Sequence, residues 1–446
     1  MINHMDHCGA LLIGGGPAGL APLVWAARHG HLAELCQNGL VVVDAAEALG
    51  AGSLGDHAIG SDTVSDTFLE CLDNGQDERL LSLRHHPTAD AIRVFKGGAA
   101  PLSVVAAFLA TLGQAVHASI VAAGGTVLLG YRAMSVRQRQ DGGWSAVLLS
   151  CAGEQHTIAA DQVLLATGAA QRHADLAAIS VAGAPLLPEF GATLMLSGEV
   201  LGQGGASDIR RRLNGITAPK VVVVGGSHSA VACANYILNY MPDLDLQPGA
   251  VTIMHRRPLR VFYPTPAAAL AEGYTDFGPE DVCAVSGRLY RLAGFRLDAR
   301  ELVMRALRVG GRPPEPRLQL HRLSDGVNDA ESRALLQSAD LVVAALGYRP
   351  TALPVLRRTG EEWPLWASRS STAPLVNSSC EILDGNGQAI PGLYGIGLAA
   401  GYLPQGAAGG EPSFIGQTNG LWLWQNPIGA MVIKSLLREG NTSVAA

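Results

Sequence analysis

Two glycine loops are the parts of this sequence whose residue types and spacing best suit chemistry. The first loop, GGGPAG at residues 14–19, follows a short apolar run and precedes an apolar segment with the period of a helix. In such a strand–turn–helix, Gly14 permits the tight turn, Gly16 lets a pyrophosphate approach the backbone, and Gly19 lets helix and strand pack closely. The loop predicts a dinucleotide site, with a glycine turn that binds no ligand as the alternative.

The residues around this loop supply other groups that a dinucleotide needs. Pro17 and Ala18 begin the predicted helix, whose unpaired N–H groups and dipole favour a negatively charged pyrophosphate. Asp44 ends the apolar run LVVVD, 25 residues after Gly19, where this fold usually has an acid after about 20 residues. We expect its carboxylate to bind a ribose, and the polar stretch 29–39 accounts for the extra length.

The second loop, GGSHSA at residues 225–230, lies between a similar strand and helix but differs at its middle position. Ser227 stands where the middle glycine belongs, and its side chain either moves a pyrophosphate outward or donates a hydrogen bond to it. The loop predicts a second nucleotide site. Besides Ser227, the residues of this loop that we expect to contact the nucleotide are Gly225, His228, Ser229 and Ala230. For His228 the alternative is a surface position at the start of the helix, without a contact to the nucleotide.

Arginines follow the next apolar run, where an NADH-dependent enzyme usually has an acid. Arg256 and Arg257 come directly after His255, and Arg260 is close behind. A guanidinium offers a planar fork of donors to phosphate oxygens, so this corner favours the 2′-phosphate of NADPH. A solvated basic loop is the alternative.

Two copies of one plan position these groups. Each copy has a buried strand, a glycine turn, a helix and a second strand, and closes with an apolar strand that ends in glycine. The predicted elements are 10–13, 20–29, 40–43 and 161–168 in the first copy, and 220–224, 231–240, 251–254 and 340–347 in the second. Strands and helices that alternate in this way form a parallel sheet covered by helices, which predicts a doubly wound α/β fold.

The rest of the chain is less regular. Residues 181–218, between the two copies, show no clear period and are interpreted as crossover chain. Residues 391–397, PGLYGIG, predict one more buried strand, and residues 415–437 predict a partly helical ending that is interrupted near Pro427. We expect both segments to complete the first domain.

Composition limits the class of protein. A chain of 446 residues usually forms more than one domain, and 48% hydrophobic with 16% charged residues is typical of a globular protein. A net charge of −6 without long basic runs argues against nucleic acid and anionic membranes as partners. Seven scattered cysteines argue against a disulfide framework or a metal site and favour the cytoplasm. The glycine loop interrupts the apolar stretch 10–27, which favours a strand and helix over a targeting segment.

The sequence resembles the two-dinucleotide-binding flavoproteins in four motifs: GGGPAG, VLLATG at 163–168, GGSHSA, and AALGYRP at 344–350. Within that group it is most similar to the FAD- and NADPH-dependent N-hydroxylating monooxygenases, which include the ornithine and lysine N-hydroxylases. The resemblance implies an α/β fold of two Rossmann-like doubly wound domains. The FAD-binding domain would be discontinuous, covering 1–184 and 346–446, with an NAD(P)H-binding domain inserted at 185–345.

The resemblance implies further cofactor contacts. In this family the segment after the first βαβ unit contacts the flavin ring. Here that segment is 52–69, whose polar residues Ser61, Asp62 and Thr63 are expected near the flavin, with an ordinary N-capped helix as the alternative. Leu398 departs from related flavoproteins, which have an aspartate there, and the FxGxxxHxxxW fingerprint and the redox C-x-x-C are absent from the sequence. The other expected contacts end the closing strands: Thr167, Gly168, Gly347 and Gly397.

The chemistry that the resemblance implies is oxygen transfer. NADPH would reduce FAD, and a flavin hydroperoxide would then pass one oxygen atom from O₂ to a small amine or amino acid. The protein would contribute orientation and a dry pocket, so no catalytic residue is named. A flavin dehydrogenase without oxygen insertion and a non-catalytic nucleotide-binding protein are the alternatives. The substrate and the existence of a homo-oligomer are left open.

Overall fold

The computed structural model describes residues 7–324, 329–351, 353–370, 373–398, 400–418 and 420–439. Within these residues the chain forms strands with the following bounds: β1 (His7–Ile13), β2 (Leu40–Asp44), β3 (Gly60–Val64), β4 (Ala99–Pro101), β5 (Thr126–Leu129), β6 (Tyr131–Gln138), β7 (Trp144–Ser150), β8 (Gln155–Leu165), β9 (Ala169–Ala170), β10 (Ser180–Val181), β11 (Ala184–Pro185), β12 (Leu194–Leu196), β13 (Val221–Val224), β14 (Val251–His255), β15 (Leu318–Arg322), β16 (Leu341–Ala344), β17 (Arg349–Pro350), β18 (Val355–Leu356), β19 (Glu381–Leu383) and β20 (Ala389–Gly395).

The α-helices of the same residues have these bounds: α1 (Pro17–Arg28), α2 (Leu32–Gln37), α3 (Ser65–Leu69), α4 (Glu78–Ser82), α5 (Pro87–Arg93), α6 (Leu102–Ala122), α7 (Leu186–Phe190), α8 (Ser197–Leu201), α9 (Gly205–Leu213), α10 (His228–Tyr240), α11 (Pro266–Ala271), α12 (Leu297–Leu307), α13 (Ala330–Gln337), α14 (Leu421–Gln425) and α15 (Pro427–Glu439).

The first sheet has a parallel part in the order β5-β2-β1-β8-β20. β1 and β2 pair from Ala10↔Leu40 to Ile13↔Val43, which aligns the ends of these two strands. Their residues are almost entirely buried because helices cover a parallel sheet on both faces. The ends of β1, β2 and β8 therefore meet at one edge, where Asp44 and the loop at 14–19 lie together.

The long strand β8 also belongs to an antiparallel part of the same sheet. Its first half pairs with β7, which pairs with β6 in turn, and β18 extends that edge. The sequence did not predict β6 and β7, because neither follows a glycine loop.

The second sheet is entirely parallel, in the order β12-β16-β13-β14-β15. β13 lies between β14 and β16, in the registers Val221↔Val251 and Val221↔Leu341. Separate groups of buried side chains cover the two faces of this sheet. Two parallel sheets, each with a glycine turn between strand and helix, agree with the predicted doubly wound α/β class.

The segment 181–218 differs from its interpretation as crossover chain. It contains β12, α7, α8 and α9, and β12 forms the edge of the second sheet through Leu194↔Val342. The three residues of β12 are all buried, so the strand shows no alternation of polar and apolar residues. A strand this short and this buried leaves no periodic signal in the sequence.

The two connections between the sheets run side by side. β9 leaves the first sheet and β17 returns to it, and they pair antiparallel through Arg349↔Ala170 and Pro350↔Ala169. Beside this ladder, Thr167 Oγ1 donates a hydrogen bond of 2.6 Å to the carbonyl of Thr351.

The C-terminal helices pack on the first helix of the chain. α14 and α15 contact α1, and a side chain at Gly429 would place its Cβ 3.1 Å from Cβ of Trp25. The predicted strand near 391–397 and the helical ending interrupted at Pro427 are both present, as β20, α14 and α15.

One helix of the described residues, α6, is long and apolar enough to cross a membrane, and half of its apolar window is buried in the protein. Its residues Val105, Phe108, Leu112 and Val116 belong to the core around the first sheet.

Candidate functional site

A single large cavity of about 650 Å³ connects the first glycine loop with the second sheet's helices. It begins at the loop between β1 and α1, continues along residues 52–63, and ends at the beginning of α10 and α12. A volume of this size is typical of pockets for small molecules and cofactors.

The three glycines of the fingerprint have different surroundings. Gly14 has a φ of +101°, which favours glycine, and a Cβ there would lie 2.3 Å from the carbonyl oxygen of Ala166. A Cβ at Gly19 would lie 1.8 Å from the carbonyl oxygen of Gly14, so this glycine permits the close packing of α1. Gly16 faces the cavity instead, and the nearest atom to its Cβ position is Gly52 Cα at 3.5 Å.

These distances provide a test of whether a dinucleotide fits. Gly16 and Gly52 both line the cavity without side chains, directly before α1 with Pro17 in its first turn. The space that a side chain at Gly16 would fill is the space that a pyrophosphate needs at a helix N-terminus. The described residues therefore fit FAD at this loop.

Asp44 lies beside the loop, as expected, but its carboxylate already binds the backbone. Oδ2 accepts a short hydrogen bond from the N–H of Gly15, and Oδ1 accepts one of 2.7 Å from Ala46. The side chain still lines the cavity. These backbone contacts fix its orientation, and a ribose hydroxyl would bind the remaining lone pairs.

The cavity wall contains most of the predicted contacts of the first site. Ser61 and Asp62 lie in β3. Ser61 Oγ accepts a hydrogen bond of 3.0 Å from the backbone N–H of Thr63, which stabilises the backbone of this strand. The alternative for this segment, an N-capped helix, is not found, because α3 begins after Val64 with no side-chain cap. The predicted residues of the first site that line the cavity are Gly14, Gly16, Pro17, Ala18, Asp44, Ser61, Asp62, Thr167 and Gly168.

Four of the predicted glycines do not line the cavity: Gly19, Gly225, Gly347 and Gly397. Gly397 has a φ of +115°, and a Cβ there would lie 3.0 Å from Cβ of Ala18, so its contact is with α1, whereas the adjacent Leu398 lines the cavity. Gly347 accepts a hydrogen bond of 3.0 Å from Gln171, and the next residue, Tyr348, lines the cavity.

The second loop points the start of α10 at the same cavity. His228 and Ser229 line it, whereas Gly225, Ser227 and Ala230 do not. Ser227 is the N-cap residue, and its side chain makes no capping hydrogen bond, which leaves the hydroxyl available to a ligand.

His228 lies between the two halves of the site. Its ring centre is 4.7 Å from that of Phe295, and its Nε2 is 3.9 Å from Asp62 of β3. Nε2 is buried and has no hydrogen-bond partner among the described residues. Burial lowers the pKa of His228, although the nearby Asp62 carboxylate opposes the shift. The imidazole is therefore neutral near neutral pH.

The stability of the protein should reflect this histidine. Because its folded pKa is lowered, the unfolded chain binds a proton that the folded chain does not. The contribution of neutral His228 is complete above the unfolded pKa of about 6.5 and is lost as the pH falls from there towards the folded pKa. We expect His228→Gln to have a shallower loss of unfolding free energy than the wild type between pH 7 and pH 5, measured by urea denaturation at each pH. His85→Gln, at an exposed position, is the control, and equal pH dependence in H228Q and wild type would contradict the expectation.

The arginines after β14 divide into two groups. Arg256 and Arg257 are exposed, and a Cβ at Gly226 of the second loop would lie 3.9 Å from the carbonyl oxygen of Arg257, so this corner adjoins the loop. Arg260 instead donates a hydrogen bond of 3.0 Å to Ser413 and lies 3.5 Å from Asp281. Arg260 therefore pairs with the carboxylate of Asp281, and its guanidinium is not free to bind a nucleotide phosphate.

Several cavity residues were missed by the sequence reasoning. Arg296 lies in irregular chain, where no motif indicates a site, whereas Tyr348 lies inside the AALGYRP motif but was not singled out as a contact. Trp424 also lines the cavity. Trp422 does not, and its Nε1 donates a hydrogen bond of 2.8 Å to Glu70.

All seven cysteines are free thiols, and none is among the described residues that line the cavity. The cavity therefore has no thiol pair that would exchange electrons with a flavin.

A sequence model of the pyridine nucleotide-disulphide oxidoreductase family matches residues 10–276, which is more than half of the chain. The chain belongs to this family. It is also 33% identical to a CMP-5′-(3-aminopropyl)phosphonate hydroxylase from Streptomyces rubellomurinus (strain ATCC 31215), over 98% of this chain and 99% of that protein. The chain is accordingly a flavin-dependent oxidoreductase.

Three solved structures share the fold at low sequence identity. The FAD-bound cadaverine monooxygenase DfoA from Erwinia amylovora has a TM-score of 0.56 at 14% identity, covering 97% of this chain and 94% of that chain. The ornithine hydroxylase PvdA from Pseudomonas aeruginosa has a TM-score of 0.54 at 12% identity, covering 97% and 99%. The L-lysine 6-monooxygenase from Pseudomonas syringae has a TM-score of 0.52 at 15% identity, covering 98% and 99%. The predicted fold class and the predicted resemblance are confirmed.

Proposed function

We propose that the chain is an FAD- and NADPH-dependent monooxygenase that hydroxylates the nitrogen of a primary amine on a small molecule. The observation that carries the proposal is one continuous cavity that joins the first glycine loop to the start of α10 and has no cysteine among its described lining residues. A disulfide reductase needs a thiol pair next to the flavin, whereas oxygen transfer needs only a substrate pocket and a dry environment.

The residues of the chain have distinct tasks in this reaction. Gly16 and the N-terminus of α1 bind the FAD pyrophosphate, and Ser61 and Asp62 lie along the cavity beyond it. Bound FAD supplies the electron transfer and the activation of O₂. Ser229 and the N-terminus of α10 bring the nicotinamide nucleotide to the same cavity.

Part of the cavity wall is apolar and excludes water. Leu353, Leu398 and Trp424 form this part, and Trp424 also belongs to the buried core around the first sheet. Exclusion of water there favours oxygen transfer to the amine over release of peroxide.

The substrate that we propose is an amine of the aminoalkyl type. The 33% identical relative is named for CMP-5′-(3-aminopropyl)phosphonate, and the solved structures that share the fold are named for ornithine, lysine and cadaverine. A terminal primary amine on a short alkyl chain is common to all four names. We also propose a cytoplasmic location, where NADPH is available.

The experiment is a comparison of product with peroxide. The FAD-loaded protein is mixed with NADPH in air and with each of four amines: CMP-5′-(3-aminopropyl)phosphonate, L-ornithine, L-lysine and cadaverine. We expect hydroxylamine from at least one amine in near equivalence to the NADPH consumed. NADPH oxidation that gives only peroxide with every amine would support the dehydrogenase alternative, and a protein that cannot be loaded with FAD would support a non-catalytic role.

The corner after β14 makes the choice of nucleotide testable. Arg256 and Arg257 are exposed beside the second loop, and each phosphate contact by a charged donor contributes about 1.5–3 kcal/mol. We expect Arg256→Ala with Arg257→Ala to weaken NADPH binding by about 10- to 100-fold and to leave NADH binding nearly unchanged. The measurement is anaerobic flavin reduction at graded concentrations of each nucleotide.

The control for this pair is Arg211→Ala, an exposed arginine of α9. Equal losses of affinity for NADPH and NADH in the double variant would show that the two arginines do not bind the 2′-phosphate and belong to a solvated basic loop.

A further inference from the structure

A guanidinium without a carboxylate partner lies in the wall of the cavity, outside every motif of the sequence. Arg296 directly precedes α12 and lines the cavity together with His228. It donates a short hydrogen bond to the carbonyl of Arg291, and its guanidinium carbon lies 4.6 Å from the ring centre of Phe262. Among the described residues, no carboxylate is close enough to form an ion pair with it. Most of its five N–H donors therefore remain for a ligand.

The charges around Arg296 do not balance it. Asp62 and Glu411 attract it from a distance, but Glu411 accepts the backbone N–H groups of Leu292 and Ala293, and the Asp62 side chain is 57% exposed. Arg288 and Arg291 add positive charge on the same side. Burial, reinforced by these two arginines, lowers the pKa of Arg296. A half-buried cation with no paired anion is costly, so this corner is suited to a negatively charged ligand.

The backbone around Arg296 is held in an unfavourable conformation. Tyr290 has a φ of 46° and Leu297 a φ of 49°, in the left-handed region that bulky residues rarely adopt. Such residues are kept only where the surrounding structure imposes them, and they are frequent at binding sites. The backbone that carries Arg296 is therefore held in place by the surrounding structure.

We propose that Arg296 binds the acidic group of the amine substrate, a phosphonate, phosphate or carboxylate, and selects amines that carry one. This inference rests on the proposed function. The anionic groups of the cofactors already have other sites: the FAD pyrophosphate at Gly16, the nicotinamide nucleotide at the start of α10, and its 2′-phosphate at Arg256 and Arg257. A planar guanidinium matches two oxygens of a phosphonate or carboxylate at once.

The test measures binding without turnover. FAD-loaded, oxidised protein is titrated by calorimetry with 3-aminopropylphosphonate, with CMP-5′-(3-aminopropyl)phosphonate, with L-ornithine and with the neutral 3-amino-1-propanol. We expect the wild type to prefer at least one acid over the neutral amine. Arg296→Met should lose roughly 10- to 100-fold in affinity for that acid and none for the neutral amine. Arg296→Lys keeps the charge but not the planar fork of donors, so its affinity for the acid should lie between those of the wild type and Arg296→Met.

The matched control is Arg288→Met, which removes an exposed positive charge that acts on Arg296 but does not line the cavity. We expect less than about a threefold change from it. The proposal is overturned if the wild type binds none of the acids better than 3-amino-1-propanol, or if R296M loses affinity for NADP⁺ as much as for the acid. FAD content and circular dichroism verify the fold of each variant.

This design separates the subsite from the proposed function. The titrations contain no NADPH, so no turnover occurs, and they report the contact of Arg296 whether or not an amine is hydroxylated. Acid binding that depends on Arg296, in a protein that makes only peroxide, would reject the monooxygenase and keep the subsite. Hydroxylation that proceeds equally well on neutral and acidic amines would reject the subsite and keep the monooxygenase.

Discussion

Gly16→Val is expected to give a folded protein that purifies without flavin colour. The backbone at Gly16 is extended, with φ −66° and ψ −171°, which any residue can adopt. Its Cβ position is 3.5 Å from Gly52 Cα, with no closer protein atom, so the fold can accept a side chain. The valine methyl groups would then occupy the space of the pyrophosphate. Loss of two hydrogen bonds from backbone N–H groups to this charged group predicts at least about 100-fold weaker FAD binding.

The measurement is visible absorbance of the purified protein, followed by titration of the apoprotein with FAD. Gly204→Ala is the matched control, because Gly204 has a φ of −84° and no atom lies within 4 Å of its Cβ position. It should retain FAD. A yellow G16V protein with stoichiometric FAD would exclude this loop as the pyrophosphate site.

Gly19, in the same loop, has a structural role that differs from that of Gly16. A Cβ at Gly19 meets the Gly14 carbonyl oxygen at 1.8 Å, so a side chain there would push α1 away from the loop. Gly19 therefore serves the packing of the fold, and we propose that Gly16 serves the ligand, although the fingerprint contains both.

Glu411→Gln is expected to destabilise the wall of the cavity that faces the first site. Glu411 is only 3% exposed, and its carboxylate accepts the N–H groups of Leu292 at 3.0 Å and Ala293 at 2.8 Å. Oε1 accepts from both N–H groups, so a glutamine oxygen in that position keeps both bonds, but the buried NH₂ group in the other position would face the N–H of Leu292 without an acceptor. An unsatisfied buried donor costs about 1–3 kcal/mol. We expect the melting temperature to fall by about 1–3 °C, because the unfolding entropy of a chain of 446 residues is about 0.9 kcal/mol per degree.

The change should also reach the substrate subsite, because the segment that Glu411 holds continues to Arg296. We expect faster hydrogen exchange in residues 290–297 of E411Q and a higher KM for an acidic amine with a smaller change in kcat. Glu280→Gln, at an exposed glutamate in a neighbouring segment, is the control. Equal melting temperatures for E411Q and E280Q would show that Glu411 does not hold this segment.

The sequence predicted the parts of the site that are local in the chain. The turn at Gly14 and the packing at Gly19 are fixed by one strand–turn–helix, whose geometry depends on neighbouring residues, and Asp44 ends the strand that pairs with the first strand of that unit. The helix start at His228 could be predicted for the same reason. A residue in such a unit has its position determined within a few residues of the motif.

The missed residues depend on contacts between distant segments. Arg296 reaches the cavity because Glu411, more than a hundred residues later, binds the backbone of Leu292 and Ala293. Arg260 was expected near a phosphate because it follows Arg257 closely, but Asp281 and Ser413 bind it elsewhere. The spacing of residues in the sequence does not predict such contacts between distant segments, because they form only when the chain has folded.

The paired connections β9 and β17 restrict how the two halves of the molecule can move. A single flexible linker allows rotation about its own axis, but two hydrogen-bonded strands form a ribbon that resists twisting and bends across its width. Gly168 and Gly347 flank this ribbon with left-handed backbone, which glycine adopts at little cost. We therefore expect opening of the cavity to bend this ribbon about one axis rather than to twist it.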